Sequence, residues 1–239
     1  MKVWLIMVEK HISSQFDAEL NRISTQVLEM GGVVESQLQQ VLYALSHLSA
    51  ETCTQVLEIE DKVNRMEVQI DHDVTSTMSR RQPTARDLRL LVGTARIIIN
   101  LERAGDEVCT IAKMLKSTLD NGMPRALPTT ELRVAGSLAS DLLHRSLDAF
   151  ARMDVKAALA VIKGDEAIDV EHEGLTRKLL TYMMEDPRTI SSGLNLMFLA
   201  RAIERIGDHA ANIAEAVIYI AKGADVRHTT EAEREAAIK

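Results

Sequence analysis

The sequence predicts an all-α protein built from two tandem, structurally repeated three-helix bundles, six long helices in total. Three observations predict it. Only 4 of the 239 residues are proline, and the stretches between Pro83, Pro124, Pro128 and Pro187 are filled with Ala, Leu, Glu, Met, Arg and Gln, which lose little on entering a helix. Apolar positions such as Leu91, Ile98, Leu101, Val108, Ala112 and Leu115 keep a three-to-four spacing, with no alternating strand-like run. Third, acidic motifs recur in the same order in the two halves of the chain.

The helices are expected at about 15–48, 51–81, 84–120, 130–151, 154–185 and 187–222. The first follows an apolar extension, Met1 to Met7, to which no function is assigned. The second closes ahead of Pro83, and Thr84 with Asp87 three residues on resembles a capping box opening the third. The run Asn121-Gly122-Met123-Pro124, with Pro128 beyond, is the strong mid-chain break. Asp154 reads as the N-cap of the fifth helix, and Asp186-Pro187 as an N-cap with proline at the first helical position of the sixth. The domains are therefore drawn at 8–122, 123–223 and a polar, frayed tail at 224–239. At ~1.5 Å per residue the longest helix extends roughly 55 Å, which suits an elongated bundle.

Charge and composition exclude several function classes. The 28 basic and 35 acidic side chains leave a net charge of −7 and a pI near 5.6, against a partner whose phosphates must be neutralised by a basic surface. Nucleic acid is not the expected partner. Two cysteines, Cys53 and Cys109, cannot build a disulfide framework, and no run approaches the roughly 18 apolar residues of a membrane span. A cytoplasmic protein is expected, with any membrane association peripheral.

The repeat carries the chemistry. Leu101-Glu102-Arg103-Ala104-Gly105-Asp106 matches Ile203-Glu204-Arg205-Ile206-Gly207-Asp208 at an offset of 102. Upstream, Glu60-Asp61-Lys62-Val63-Asn64 matches Asp165-Glu166-Ala167-Ile168-Asp169 at an offset of 105, so a three-residue indel sits before the third helix of each unit. Acids four apart stack on one helix face and repel by a few tenths of a kcal/mol. A single pair of that kind is ordinary solvated surface. Its recurrence beside a second acid-bearing helix points instead to hard oxygen ligands for a divalent or trivalent cation. The candidate ligands are Glu60, Asn64, Glu102, Asp106, Asp165, Asp169, Glu204 and Asp208.

Mid-helix Gly105 and Gly207 each cost on the order of 1 kcal/mol relative to Ala, so each marks either a close approach or a bend. Arg103 and Arg205 lie about 100° round from the adjacent Glu and are expected to pair with the helix of Asp61 or Glu166, or to face a partner. His72, His172 and His209 lie near the acidic motifs and are expected at the surface, although Asp169 and His172 have metal-compatible spacing. Asp71 and Asp73 extend the acidic stripe as solvated residues, the methionines fill core gaps, and Cys109 is an apolar core cysteine. A glycine-rich phosphate loop, a nucleophile elbow, His-Glu-x-x-His and Glu-x-x-His are all absent, which leaves no catalytic constellation.

Further segments complete a resemblance. His11-Ile12-Ser13-Ser14-Gln15-Phe16, Met30-Gly31-Gly32-Val33-Val34-Glu35, Arg81-Gln82-Pro83-Thr84-Ala85-Arg86-Asp87-Leu88-Arg89, Asp148-Ala149-Phe150-Ala151-Arg152-Met153-Asp154 and Tyr182-Met183-Met184-Glu185-Asp186-Pro187-Arg188, with the two Glu-Arg-x-Gly-Asp motifs, closely resemble the PhoU family of phosphate-uptake regulators from His11 to His228. The resemblance implies two three-helix bundles, a homodimer, and a non-enzymatic negative regulator of high-affinity phosphate uptake. Such a regulator acts between the ATPase subunit of the phosphate ABC transporter (PstB) and the sensor histidine kinase PhoR of a two-component system. It also implies metal, a divalent cation or an iron cluster, on the Glu/Asp-x-x-x-Asp motifs, with Asn64 a departure that leaves the first site one carboxylate short. The competing reading is a carboxylate-bridged metalloprotein with hydrolytic or redox activity.

Overall fold

The computed structural model describes residues 14–120 and 130–238. The Met1 to Met7 extension and the break at Gly122 and Pro124 lie outside the described residues. The elements are α1 (Ser14–His47), α2 (Ala50–Arg81), α3 (Ala85–Asp120), α4 (Thr130–Arg152), α5 (Val155–Glu185), a 3₁₀ turn (Pro187–Thr189), α6 (Ile190–Lys222) and α7 (Glu231–Ile238), with no strand among the described residues.

Local chemistry sets the helix ends. The Ser49 hydroxyl accepts from the Thr52 N–H at 3.2 Å to open α2, and the Asp154 carboxylate accepts from the Lys156 and Ala157 N–H groups at 2.9 and 3.0 Å to open α5. Asp186 caps as expected, accepting from the Arg188 N–H at 3.1 Å, but the proline leads into the 3₁₀ turn and α6 begins at Ile190. At the start of α3 the Asp87 N–H donates to the Thr84 carbonyl at 3.1 Å. Gly223, at φ 75°, ends α6 by donating to the Tyr219 carbonyl at 2.8 Å.

Each long helix buries one apolar stripe. On α1 it is Leu20, Ile23, Val27, Met30, Val34, Leu38, Val41 and Leu45, none more than 2% exposed. Within each half the three helices pack on one another; across the halves α1 packs on α4 and α3 on α6, leaving α2 and α5 on the flanks. The arrangement is a pseudo-twofold one. A Cβ on Gly31 would stand 2.6 Å from Leu147, and a Cβ on Gly136 would stand 2.3 Å from Leu42. Both pairs repeat at one offset (136 − 31 = 105 and 147 − 42 = 105), so each half inserts a leucine into the glycine notch of the other.

The tail departs from the frayed expectation. Val226 is buried in the core, and Asp225 is clamped by Arg227 at 2.6 Å, with Arg96 at 3.8 Å. The Arg227 guanidinium holds the Asp225 carboxyl down at about 2. Thr230 and Glu233 form a reciprocal capping box at the start of α7, with the Thr230 N–H on Glu233 at 2.7 Å and the Glu233 N–H on Thr230 at 3.4 Å.

Candidate functional site

The acidic motifs of the second half meet where α5 crosses α6. Gly207 makes the approach possible, because a Cβ there would stand 2.7 Å from Asp165 Oδ1 and 2.7 Å from Ile168 Cδ1. The glycine of this motif therefore serves a close approach. Burial pushes the Asp165 carboxyl up to about 7, and Asp208, Asp169 and Glu204 push it further in the same direction. Burial also raises Glu204 and Asp208, with Asp208 acting on the first and Asp169 on the second. Glu204 is only 7% exposed; one carboxylate oxygen accepts from Arg201, and the other, Oε2, is buried without a hydrogen-bond partner. All four predicted residues of this half thus share one electrostatic neighbourhood.

The first half is built differently. Burial pushes Glu102 up to about 7, with Asp106 and Glu67 adding to the rise and Arg103 opposing it. Burial likewise raises Glu67, followed by Asp71 and Asp106. Glu60 forms an ion pair with Lys113 at 3.4 Å, and Asn64 is exposed. Glu67 is the carboxylate that sequence reasoning missed. It lies three residues, one helical turn, beyond Asn64, and its counterpart in the other half (67 + 105 = 172) is His172. Gly105 faces nothing closer than Val63 Cγ1 at 3.6 Å from a built Cβ, so it does not repeat the role of Gly207.

Between the clusters runs the α3–α6 seam. Arg205 was expected to reach the helix of Asp61 or Glu166, or a partner; instead its Nη1 lies 2.6 Å from Oε1 of Glu107 on α3, which is buried. Asp61 and Glu166 are exposed. Arg205 therefore reaches across the seam into the other half and not along its own. The counterpart of Glu107 (107 + 102) is His209, and the pairing is not repeated: Arg103 stays exposed.

His209 is 7% exposed, against the expectation of a surface histidine, because it lies in this seam and not on the outer face. Its Nδ1 is 3.1 Å from Asn100 Oδ1, which also accepts from Asn212 Nδ2 at 3.2 Å. The Asn100 amide nitrogen donates to the Arg96 carbonyl at 2.9 Å, so the network assigns a proton to His209 Nδ1. Burial, then Arg205 and Arg103, push the imidazole down to about 4. Asp73 is also not solvated: Gln26 and Gln69 donate to it at 3.1 and 3.3 Å, and Arg22 stands 3.5 Å away. His72 and Asp71 are exposed and His172 half-buried; Cys53 and Cys109 are buried thiols, the latter pushed by burial to about 12.

Carboxylates alone, partly desolvated and mutually repelling, are a donor set for a hard cation, and the unpartnered Glu204 Oε2 together with the Gly207 cradle fits such a guest. Among the described residues, no group of three or more His, Cys, Asp and Glu side chains is already drawn together as a metal cage. Near neutral pH Glu102 and Asp165, each pushed up to about 7, are partly protonated.

A family model described as the PhoU domain matches the chain twice, at residues 27–115 and 132–217. The two matches start 105 residues apart (132 − 27) and end 102 apart (217 − 115), the two offsets of the acidic motifs. A phosphate-specific transport system accessory protein PhoU homolog of a Burkholderia species is 44% identical over 223 residues, 93% of this chain and 95% of the relative. The phosphate-specific transport system accessory protein PhoU of Escherichia coli K12 is 44% identical over 222 residues, 92% of this chain and 91% of the relative. The crystal structure of PhoU from Pseudomonas aeruginosa superposes with a TM-score of 0.85 at 42% identity, covering 88% of this chain and 100% of that one. A phosphate transport system regulatory protein PhoU from Streptococcus pneumoniae gives 0.81 at 25% identity, covering 89% and 99%.

Proposed function

From its membership of the PhoU family, to which this chain belongs, we propose that it is a non-enzymatic negative regulator of high-affinity phosphate uptake and of the phosphate-starvation two-component response. It acts as an adaptor between the transporter ATPase subunit PstB and the sensor kinase PhoR, and works as a homodimer. The observation that carries this reading is the extent of the likeness: both repeats match, and relatives named as accessory proteins of phosphate-specific transport align over more than nine-tenths of the chain. No helix among the described residues is long and apolar enough to cross a membrane, which fits an adaptor that reaches the transporter through its subunits.

In the same reading the carboxylate clusters hold a divalent cation or an iron centre. Asp165, Asp169, Glu204 and Asp208 form the second site; Glu102 and Asp106, with Glu67 and with Glu60 and Asn64 at its margin, form the first. The cation supplies charge that cancels the repulsion among the carboxylates. The chain's own part is to place the donors on rigid helices, with Gly207 admitting Asp165 and Arg201 holding one oxygen of Glu204.

Deletion of the gene tests the regulatory role: phosphate-starvation genes should become active in phosphate-rich medium, and a second deletion of the kinase should silence them. Unchanged expression in the single deletion refutes it. Capture of PstB and PhoR from a membrane fraction, with and without phosphate, tests the adaptor.

A further inference from the structure

Among its described side chains, helix α7 presents no buried hydrophobic face. None of its residues 231–237 is buried, and its attachment is by charge: Lys163 Nζ of α5 lies 2.6 Å from Glu231 and 2.7 Å from Glu235, and Arg234 acts on Glu215 of α6. Exposed ion pairs hold an element weakly and yield to salt.

Glu235 also lines a cavity of about 820 Å³ formed by the α4–α5 turn and the end of α6. Its other charged residues are Arg152, Lys156 and Lys222 against the single acid Asp154, and Met153, Val155 and Leu159 make it amphipathic. Arg152 is held by Asp148 at 3.0 Å, whereas Lys156 and Lys222 make no ion pair among the described residues. The duplication provides an internal control. The counterparts of Arg152, Lys156 and Lys222 in the first half are His47, Glu51 and Asp120, so the fold does not require a basic groove at this corner.

We infer that α7 stands at the rim of a docking groove and screens it through Glu235, and that the groove takes an acidic amphipathic helical segment of a partner protein, which displaces α7 to bind. The charge complementarity is already present within the chain: an acidic helix lies beside a basic, partly apolar groove, held loosely enough to exchange. This goes beyond the regulatory reading and does not depend on the carboxylate clusters.

The test uses the full chain and a fluorescent peptide of residues 229–239 as the probe. The peptide should bind the Glu231→Lys/Glu235→Lys variant about tenfold more tightly than the wild type, in which Glu235 of α7 screens the rim of the groove. The gain should shrink as salt rises, and adding Lys156→Glu and Lys222→Glu should abolish binding. Helical content and melting temperature check that each variant is folded, and Glu231→Ala/Glu235→Ala gives a milder release if the lysine variant is not. Equal affinity in wild type and released variants overturns the masking, and binding that survives the groove substitutions overturns the site. If the released variant binds phosphatidylglycerol vesicles and not the peptide, the groove reads anionic lipid and the partner assignment is wrong.

Discussion

Asp165 Oδ1 lies 2.7 Å from the point that a Cβ of residue 207 would occupy, so the carboxylate rests on bare helix backbone. The equivalent Gly105 has its nearest neighbour at 3.6 Å, an ordinary van der Waals distance. Two glycines in one repeated motif therefore do different things, and the difference is accessible to experiment.

Gly105→Ala should stabilise the protein by roughly 0.5–1 kcal/mol, the helix-propensity gain with nothing displaced. Gly207→Ala gains the same propensity but pushes aside Asp165 and the tip of Ile168. Both are ends of flexible side chains, so its stability should stay within about 1 kcal/mol of wild type while Asp165 moves toward water. The carboxyl should then titrate well below about 7. Urea midpoints and the Asp165 titration followed by NMR check both; an unshifted Asp165 in the variant disproves the cradle.

The Arg205–Glu107 pair makes an asymmetric prediction. Arg205 is half exposed and returns to water when its partner is lost, whereas Glu107 is 10% exposed at its side chain and cannot. Arg205→Ala should therefore destabilise by about 1–3 kcal/mol, more than Glu107→Gln, because it strands a buried carboxylate. The loss should ease at low pH, where the stranded carboxyl takes a proton. Denaturant unfolding of both variants at pH 5 and pH 8 measures it, and equal losses at both pH values count against the burial argument.

The helices were legible because their signals are local. Proline placement, the Asp154 and Asp186 caps and the apolar spacing depend on a few neighbouring residues. Helix α7 escaped notice although Thr230 and Glu233 carry a capping-box pattern, because no apolar stripe follows it. The second carboxylate cluster was readable as a repeat, but Glu67 was not, since it lies one turn past Asn64, where the repeat breaks. The seam was out of reach altogether: that Arg205 meets Glu107, and that His209 is buried opposite Arg103, depends on how the halves pack across the pseudo-twofold axis.

Stability should carry a pH signature of Asp165. Its folded value of about 7 is raised above the ordinary 3.8, so the folded chain binds more protons than the unfolded chain between these limits. The stability tied to this group is fully present below about 4 and lost as pH rises through about 7. His209, lowered from 6.5 to about 4, works in the opposite sense, losing its stability as pH falls through that range. Comparing wild type with Asp165→Asn cancels the histidine: the metal-free wild type should lose more melting temperature than the variant between pH 5 and pH 8. Parallel pH profiles refute the assignment.

Glu67 decides whether the first cluster replaces the charge missing at Asn64. Its carboxyl is raised by burial and then by Asp71 and Asp106, and it in turn raises Glu102, so it lies within reach of the field that a cation would relieve. A cation at about a hundred times its Kd should raise the melting temperature of wild type by roughly 5–10 °C through mass action. Asp208→Ala disables the second cluster and should leave a smaller manganese-dependent rise from the first. Adding Glu67→Gln should remove most of that remainder, because an amide keeps the shape and one oxygen but not the charge. Adding Glu60→Gln should remove less, since Glu60 is already satisfied by Lys113. If Glu67→Gln leaves the residual rise intact, the first cluster binds through Glu60 and the repeat, read literally, was the better guide. Loss of the manganese effect in neither the Asp208→Ala nor the Asp106→Ala/Asp208→Ala variant would instead place the cation elsewhere on the protein.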